Sequence, residues 1–242
     1  MRYLFLAFIC FISCSSNSSN SRANSSDSIT YKIVKDDNNI TRDSIGMIGS
    51  KQQGWTYHYD SNGFLEAEIY YVDGYKSGWH YVYNSSGKVI REMLYIKDRK
   101  HGSSYSYFEN GQIAAYNCFD NEENNRRVKL YDSTTGNVIK NEGLVVCQAV
   151  LLSNDFTFSS KADVIIDILI STAPDENVKA WARDFEGLKS YEIINNTVLY
   201  QKRYTNPGRY KIVTIGESVD TITGIRLIDS IETTFTVKDP VT

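Results

Sequence analysis

Through the middle of the chain, apolar and polar residues alternate. Trp55, Tyr57 and Tyr59 fall on one side of an extended segment, and Thr56, His58 and Asp60 on the other. A period of two belongs to a β-strand with two different faces. Asp60-Ser61-Asn62-Gly63 follows, a turn cluster ending in the residue that adopts a positive φ most easily. Beyond it Leu65, Ala67, Ile69 and Tyr71 alternate against Glu66, Glu68 and Tyr70, and Asp73-Gly74 turns the chain again. The pattern predicts a β-hairpin.

The hairpin then returns. Gly54-Trp55-Thr56-Tyr57-His58-Tyr59 is followed by Gly78-Trp79-His80-Tyr81-Val82-Tyr83 and by Gly102-Ser103-Ser104-Tyr105-Ser106-Tyr107, each 24 residues after the last. The second unit turns at Asn84-Ser85-Ser86-Gly87 and comes back through Val89, Arg91, Met93 and Tyr95. The third turns at Glu109-Asn110-Gly111 and comes back through Ile113, Ala115, Asn117 and Phe119. A degraded fourth unit runs from Arg126 to Gly143, with Tyr131, Gly136 and Val138 in near-equivalent places and one extra residue in its turn. A fixed period of this size marks a modular array whose units bury apolar surface against one another, with irregular end units as caps. Three aromatic rows line up: Tyr57, Tyr81 and Tyr105; Tyr59, Tyr83 and Tyr107; Tyr71, Tyr95 and Phe119. In one continuous antiparallel sheet they become ladders. They are either the core face of a single-layer sheet or an exposed groove for a sugar or peptide. On the second reading Trp55, Tyr57, Tyr59, Trp79, Tyr81, Tyr83, Tyr105 and Tyr107 form the binding surface.

This stretch resembles the variant MORN repeat, the glycine–tryptophan–aromatic hairpin unit of bacterial repeat proteins, over roughly residues 51–143. Some bacterial members are labelled antitoxins, so an immunity role is one implication of the resemblance.

Near Leu144 the period stops. Short strands with turn signals about every ten residues follow: Val145–Leu152, Val164–Ile170, Val178–Arg183, Thr197–Tyr204, Arg209–Ile215 and Ile231–Val237. Asp184–Tyr191 reads as a loop or an edge strand. Asn206-Pro207-Gly208-Arg209-Tyr210 runs from a turn into a strand and resembles the tyrosine corner of immunoglobulin-like sandwiches. Trp181 suits the packed centre of such a sandwich. The chain is therefore read as all-β: a repetitive hairpin array over 31–143, then an immunoglobulin-like β-sandwich over 144–242.

The N-terminus addresses location. Met1-Arg2 is a short positive region, and Tyr3–Ile12 is an apolar run too short to span a bilayer. Residues 1–13 are read as a secretory signal. Phe11-Ile12-Ser13-Cys14 resembles the lipobox of bacterial lipoproteins, with Phe11 where the family usually has Leu. That resemblance implies cleavage before Cys14 and acylation of its thiol and new amino group. Cys10 fits worse, because bulky Ile9 precedes it. Several acyl chains on one residue give a stable anchor. The Ser/Asn-rich run completing 14–30 has too little apolar area to offset its ordering entropy and reads as a flexible tether. The chain is expected to be exported and membrane-anchored, facing either the periplasm or the exterior.

Composition narrows the partners. A formal net charge of −3 is too weak to suggest nucleic acid, which wants a basic patch. Cys118 and Cys147 would remain after processing. Cys118 holds the repeat position of Tyr70 and Leu94, so it reads as a small core residue; an exported chain also allows a Cys118–Cys147 disulfide. His58, His80 and His101 occupy different places within their units and form no ligand row, so they read as surface or groove residues. The sequence has no nucleophile elbow, P-loop or zinc motif. No catalytic residue, metal or cofactor is expected. The leading expectation is a scaffold that binds another envelope protein through the array. A carbohydrate-binding lipoprotein is the alternative, with rings stacking on sugars and His58, His80 and Asp60 holding hydroxyls.

Overall fold

The computed structural model describes residues 28–120, 123–150, 157–160, 163–194 and 197–239, without the side chains of 147–150. The expected signal, Cys14 and most of the tether lie outside these residues, as does the side chain of Cys147.

The fold is all-β. Ten strands form one antiparallel meander in chain order: β1 (Thr30–Lys35), β2 (Thr41–Ile48), β3 (Lys51–Tyr59), β4 (Leu65–Val72), β5 (Tyr75–Tyr83), β6 (Val89–Ile96), β7 (Arg99–Tyr107), β8 (Ile113–Phe119), β9 (Asn125–Tyr131) and β10 (Val138–Gly143). The hairpin β1–β2 precedes the first unit legible as a repeat. The turns follow the sequence chemistry. Asp60 Oδ1 accepts from the amides of Asn62 and Phe64, and Asn84 Oδ1 from those of Ser86 and Lys88. Such Asx contacts supply a short side-chain acceptor to amides the ladder leaves unpaired. On the other edge, two-residue turns at Asp73-Gly74 and Lys97-Asp98 have positive φ at both positions, the geometry that matches strand twist. The extra residue of the fourth turn shows as Gly136 N bonding Asp132 O, one position longer than Gly63 N to Asp60 O.

The glycine that opens each unit does specific work. Gly54, Gly78 and Gly102 have φ of 78°, 138° and 70°. Register shifts lie opposite or beside them, at Ile45/Met47, Ile69/Tyr71 and Met93/Tyr95. A bulge in every repeat adds twist to the sheet and re-aims the side chains that follow.

The sheet has two unlike faces. One carries the array's own core: Thr56, Ala67, Ile69, Met93 and Tyr95 are buried there. The row Tyr71, Tyr95 and Phe119 lies on that face, with Lys76 over the Tyr95 ring and Lys100 over the Phe119 ring. The other face, carrying Trp55, Tyr57 and Tyr81, is described with the site.

Eight further strands make a two-layer sandwich: β11 (Val146–Val150), β12 (Thr157–Ser159), β13 (Asp163–Ile170), β14 (Glu176–Asp184), β15 (Gly187–Tyr191), β16 (Thr197–Arg203), β17 (Gly208–Asp220) and β18 (Arg226–Lys238). The layers are β11-β13-β16 and β12-β18-β17-β14-β15, with β12 parallel to β18. This is an immunoglobulin-like arrangement, with β14, β17 and β18 as strands C, F and G, and β15 as a C′ edge strand. Its core joins Ile166, Ile168 and Ile170 to Tyr200, Ile212 and Phe235. Tyr210 Oη donates to the Asn206 carbonyl at 2.7 Å, which makes it a tyrosine corner. Trp181 does not fill the centre. Ala180 and Ala182 point inward, so alternation turns Trp181 to the outer surface of its layer, where it is half-buried.

Gly78→Ala tests the bulge. A Cβ there would sit 3.0 Å from Tyr70 Cβ at φ +138°. The expected cost is about 1–3 kcal/mol, read as a lower urea midpoint with an unchanged slope.

Candidate functional site

Cross-strand register links one residue from each strand into a single row on the second face. It runs Ile33, Ser44, Tyr57, Glu68, Tyr81, Glu92, Tyr105, Tyr116, Lys129 and Asn141. Directly opposed residues in an antiparallel sheet share a face, so this face carries a Tyr–Glu–Tyr–Glu–Tyr series at its middle. The Tyr57/Tyr81/Tyr105 ladder expected from the sequence exists, but a glutamate stands between each pair of rings. Trp55, Trp79 and Tyr70 flank the series. Trp55 meets Tyr70 edge-on at 5.2 Å and Tyr81 at 6.0 Å, while Trp79 stacks with Tyr81 at 6.3 Å. Tyr31 extends the aromatic surface to Tyr57 at 6.2 Å.

The neighbouring tyrosine row fixes the acids. Tyr107 Oη donates to Glu92 Oε1, and the Tyr83 hydroxyl lies beside the Glu68 carboxylate. Burial, and then the adjacent carboxylates, push the Tyr83 and Tyr107 hydroxyls well above the usual phenol range, so both remain proton donors. Tyr59, the first member of that row, is half-buried at the end of β3. Trp55, Tyr57, Trp79, Tyr81, Glu68 and Glu92 are all half-buried, lying between the two readings of core and open groove.

At the far end the same face is covered by the sandwich, and the repeat changes to allow it. Positions 55, 79, 103 and 127 hold Trp, Trp, Ser and Arg; positions 57, 81, 105 and 129 hold Tyr, Tyr, Tyr and Lys. The third unit is cut down. Ser103 leaves room where tryptophan stood, and Tyr116 replaces the glutamate. Tyr116 Oη bonds Ser171 Oγ at 3.0 Å and Ser103 Oγ at 3.3 Å, while Tyr105, Cys118, Leu169 and Ala173 pack beside it. Cys118 is therefore the expected small core residue. Its pairing with Cys147 lies outside the described side chains.

The fourth unit is charged. Arg127 bonds Glu176, Lys129 Nζ sits 2.7 Å from Asp220 and 3.6 Å from Glu176, and no side chain of these four is more than 1% exposed. Further polar contacts join the group: Arg127 to the Glu142 carbonyl, Lys129 to the Pro174 carbonyl, and Ser218 Oγ to Glu176, while Arg127 Nε is buried without a hydrogen-bond partner. Burial pushes the Asp220 carboxyl up, but Lys129 and the amides of Thr223 and Ile222 more than reverse this and bring it down to about 2.

The histidines are distributed differently from the expectation. His58 pairs with Asp43 at 2.5 Å, and His80 faces Tyr95; both lie on the face opposite Trp55 and Trp79. Burial, then the charges of Lys76, His58 and Arg91, lower His80 to about 4. His101 is buried at 4% exposure, not at the surface. Asp60 is engaged in its own turn. His58, His80 and Asp60 are thus not brought together with the tryptophans. Glu68 and Glu92 occupy the place assigned to them, and their 24-residue spacing was the signal. Among the described residues no group of three His, Cys, Asp or Glu could hold a metal.

No protein-family model matches the chain, and no curated protein matches it. A solved structure of an S. aureus TarM mutant in complex with fondaparinux, α-GlcNAc-glycerol and UDP is similar over 38% of this chain and 18% of that one, at 15% identity and a TM-score of 0.29. The chain thus spans less than a fifth of that protein, and the likeness supports no functional argument.

Two outcomes test the junction. Lys129→Met leaves the buried Asp220 carboxylate without its cation, while Glu176 keeps Arg127, and is expected to cost about 3–5 kcal/mol, read by urea unfolding. Because the folded pKa of Asp220 is depressed, its stabilisation is present above about pH 4 and is lost as pH falls toward 2. Thermal melts of the native chain and Asp220→Asn should converge over that window.

Proposed function

We propose that the chain is a membrane-tethered envelope lipoprotein that recognises a protein partner through the aromatic face of its hairpin array. One observation carries this reading. One end of that face is covered by a β-sandwich of the same chain, while Trp55 and Trp79, farther along it, remain partly accessible. Within this molecule the face already packs against folded protein. Tryptophan and tyrosine on a preorganised surface are the side chains that concentrate binding energy at protein interfaces. The variant MORN resemblance of residues 51–143 is in line with a recognition role. The carbohydrate alternative loses the polar partners first assigned to it, since His58 and His80 lie behind the sheet.

Anchoring is part of the proposal. Cys14 carries the lipid, and the Ser/Asn-rich tether lets the array reach its partner.

Cys14→Ala is expected to move the protein from the membrane fraction to the soluble fraction; unchanged membrane association would refute the anchor. For recognition, the full-length protein is cross-linked in its native membranes and affinity-purified beside Trp55→Ala/Trp79→Ala. Loss of two anchors should reduce partner recovery by tenfold or more. Equal recovery with both proteins folded removes the aromatic face as the recognition surface.

A further inference from the structure

We propose that the open half of the aromatic face receives cationic side chains, arginine above all, from an extended segment of a protein partner, with Glu68 and Glu92 as the receiving carboxylates. This rests on the recognition reading above and gives it a chemistry.

Each carboxylate stands in register between two rings, Glu68 between Tyr57 and Tyr81, and Glu92 between Tyr81 and Tyr105. A guanidinium placed there meets a carboxylate below and aromatic rings on either side. That combination suits arginine better than lysine, because its planar, weakly hydrated group both stacks and forms paired hydrogen bonds. Tyr107 holds Glu92 by a hydrogen bond from the hairpin end of its strand, and Tyr83 stands in the equivalent place beside Glu68, so the carboxylates are positioned before any ligand arrives.

The array's own bases are elsewhere. Among the described residues neither Glu68 nor Glu92 has an ion-pair partner. Lys76 and Lys100 lie over Tyr95 and Phe119 on the opposite face, and Arg91 is opposed to Val82 and Ser106 on that same opposite face. Arg42 lies toward the hairpin turns, where its charge acts on Asp60. Arg42 and Lys51 stand at the strand ends, so at Glu68 and Glu92 themselves the face presents acids without a paired base.

The molecule supplies its own precedent. Farther along the same row, Lys129 takes the ladder position of Tyr81 and Tyr105 and pairs with Asp220 of the sandwich, and its ammonium lies 5.6 Å over the Tyr131 ring. Opposite charge among aromatic rings is how this face already binds a folded neighbour. On the open half the signs are exchanged: the sheet carries the acids, so the partner must carry the bases. A neutral glycan can donate hydroxyls to the carboxylates but leaves their charge uncompensated.

Geometry suggests the probe. Glu68 and Glu92 are on β4 and β6, two strands apart and so about 9–10 Å from one another. A polyproline II segment brings every third side chain to one side about 9 Å apart. A capped proline-rich peptide with two arginines three residues apart is titrated into the full-length protein in detergent, with tryptophan fluorescence as readout. The same peptide with glutamines is the control. The arginine peptide is expected to bind at least tenfold more tightly at low salt, and Glu68→Gln/Glu92→Gln should erase the preference while the thermal melt is unchanged. Equal binding of the two peptides overturns the inference, as does a preference that survives the double substitution. Saturable binding of a neutral oligosaccharide without response to arginine overturns it in favour of a sugar face. Partner recovery from membranes separates the two levels. Loss with Trp55→Ala/Trp79→Ala but full recovery with Glu68→Gln/Glu92→Gln defeats only the cation assignment. Full recovery with both defeats the recognition reading as well.

Discussion

The buried group of Arg127, Lys129, Glu176 and Asp220 holds the molecule in one arrangement. A single-layer sheet has no second layer to exclude water from its ends, and β9 and β10 would present bare backbone and apolar rows to solvent. Seating the sandwich there closes that end. Two bases from the array meet two acids from the sandwich, so the group is neutral as a whole, and backbone carbonyls and Ser218 take further polar contacts. Desolvating four charges is expensive, and such a group contributes little net stability over a well-packed apolar contact. It discriminates strongly instead. Any shift of the sandwich by one register along β9 would bury unpaired charge. Gly143 adds a steric constraint beside it, since a Cβ there would lie 2.1 Å from the Arg126 carbonyl oxygen.

The same row explains why the array is not uniform. A strict repeat would place tryptophan at 103 and 127 and glutamate at 116, and the sandwich would then meet bulk and negative charge. The substitutions to Ser103, Tyr116, Arg127 and Lys129 proceed in the order in which the sandwich comes closer. Tyr70, Leu94 and Cys118 shrink along the same direction, ending beneath Leu169 and Ala173. Decay of the repeat toward its C-terminal end is therefore fitted surface, and the intact units mark where the face stays open.

How much of this could be read from the residues follows from what periodicity encodes. Period two and the glycine turns placed the hairpins, because strand faces and positive φ are local properties. The tyrosine corner was legible for the same reason: Tyr210 and Asn206 are four residues apart. Trp181 was misplaced because size was weighed before parity; Ala180 and Ala182 set the inward phase of β14, and a large ring between them has only the outer surface. The glutamates escaped notice because each strand was read by itself. Tyr57 and Glu68 lie on strands whose relative register depends on a bulge, and only the paired sheet shows that they share a row. The charged junction was invisible for a plainer reason. Arg127 and Glu176 are 49 residues apart and belong to different sheets.

That difference in legibility bears on how the open face should be understood. An aromatic ladder alone is ambiguous, since rings stacked across strands stabilise a sheet whether or not anything binds them. Carboxylates in the same row are not explained by stability. Glutamate is a poor strand former, and half-burying it beside tryptophan costs solvation that a threonine or valine would not. Tyr107 offsets part of that cost with a hydrogen bond to Glu92 and Tyr83 sits beside Glu68, yet both also keep the negative charge among the rings. Two successive units repeat the arrangement, and the third abandons it where the sandwich arrives. Packing within the array would favour the same residue in every unit, whereas a role for the uncovered surface accounts for acids only where the surface is uncovered.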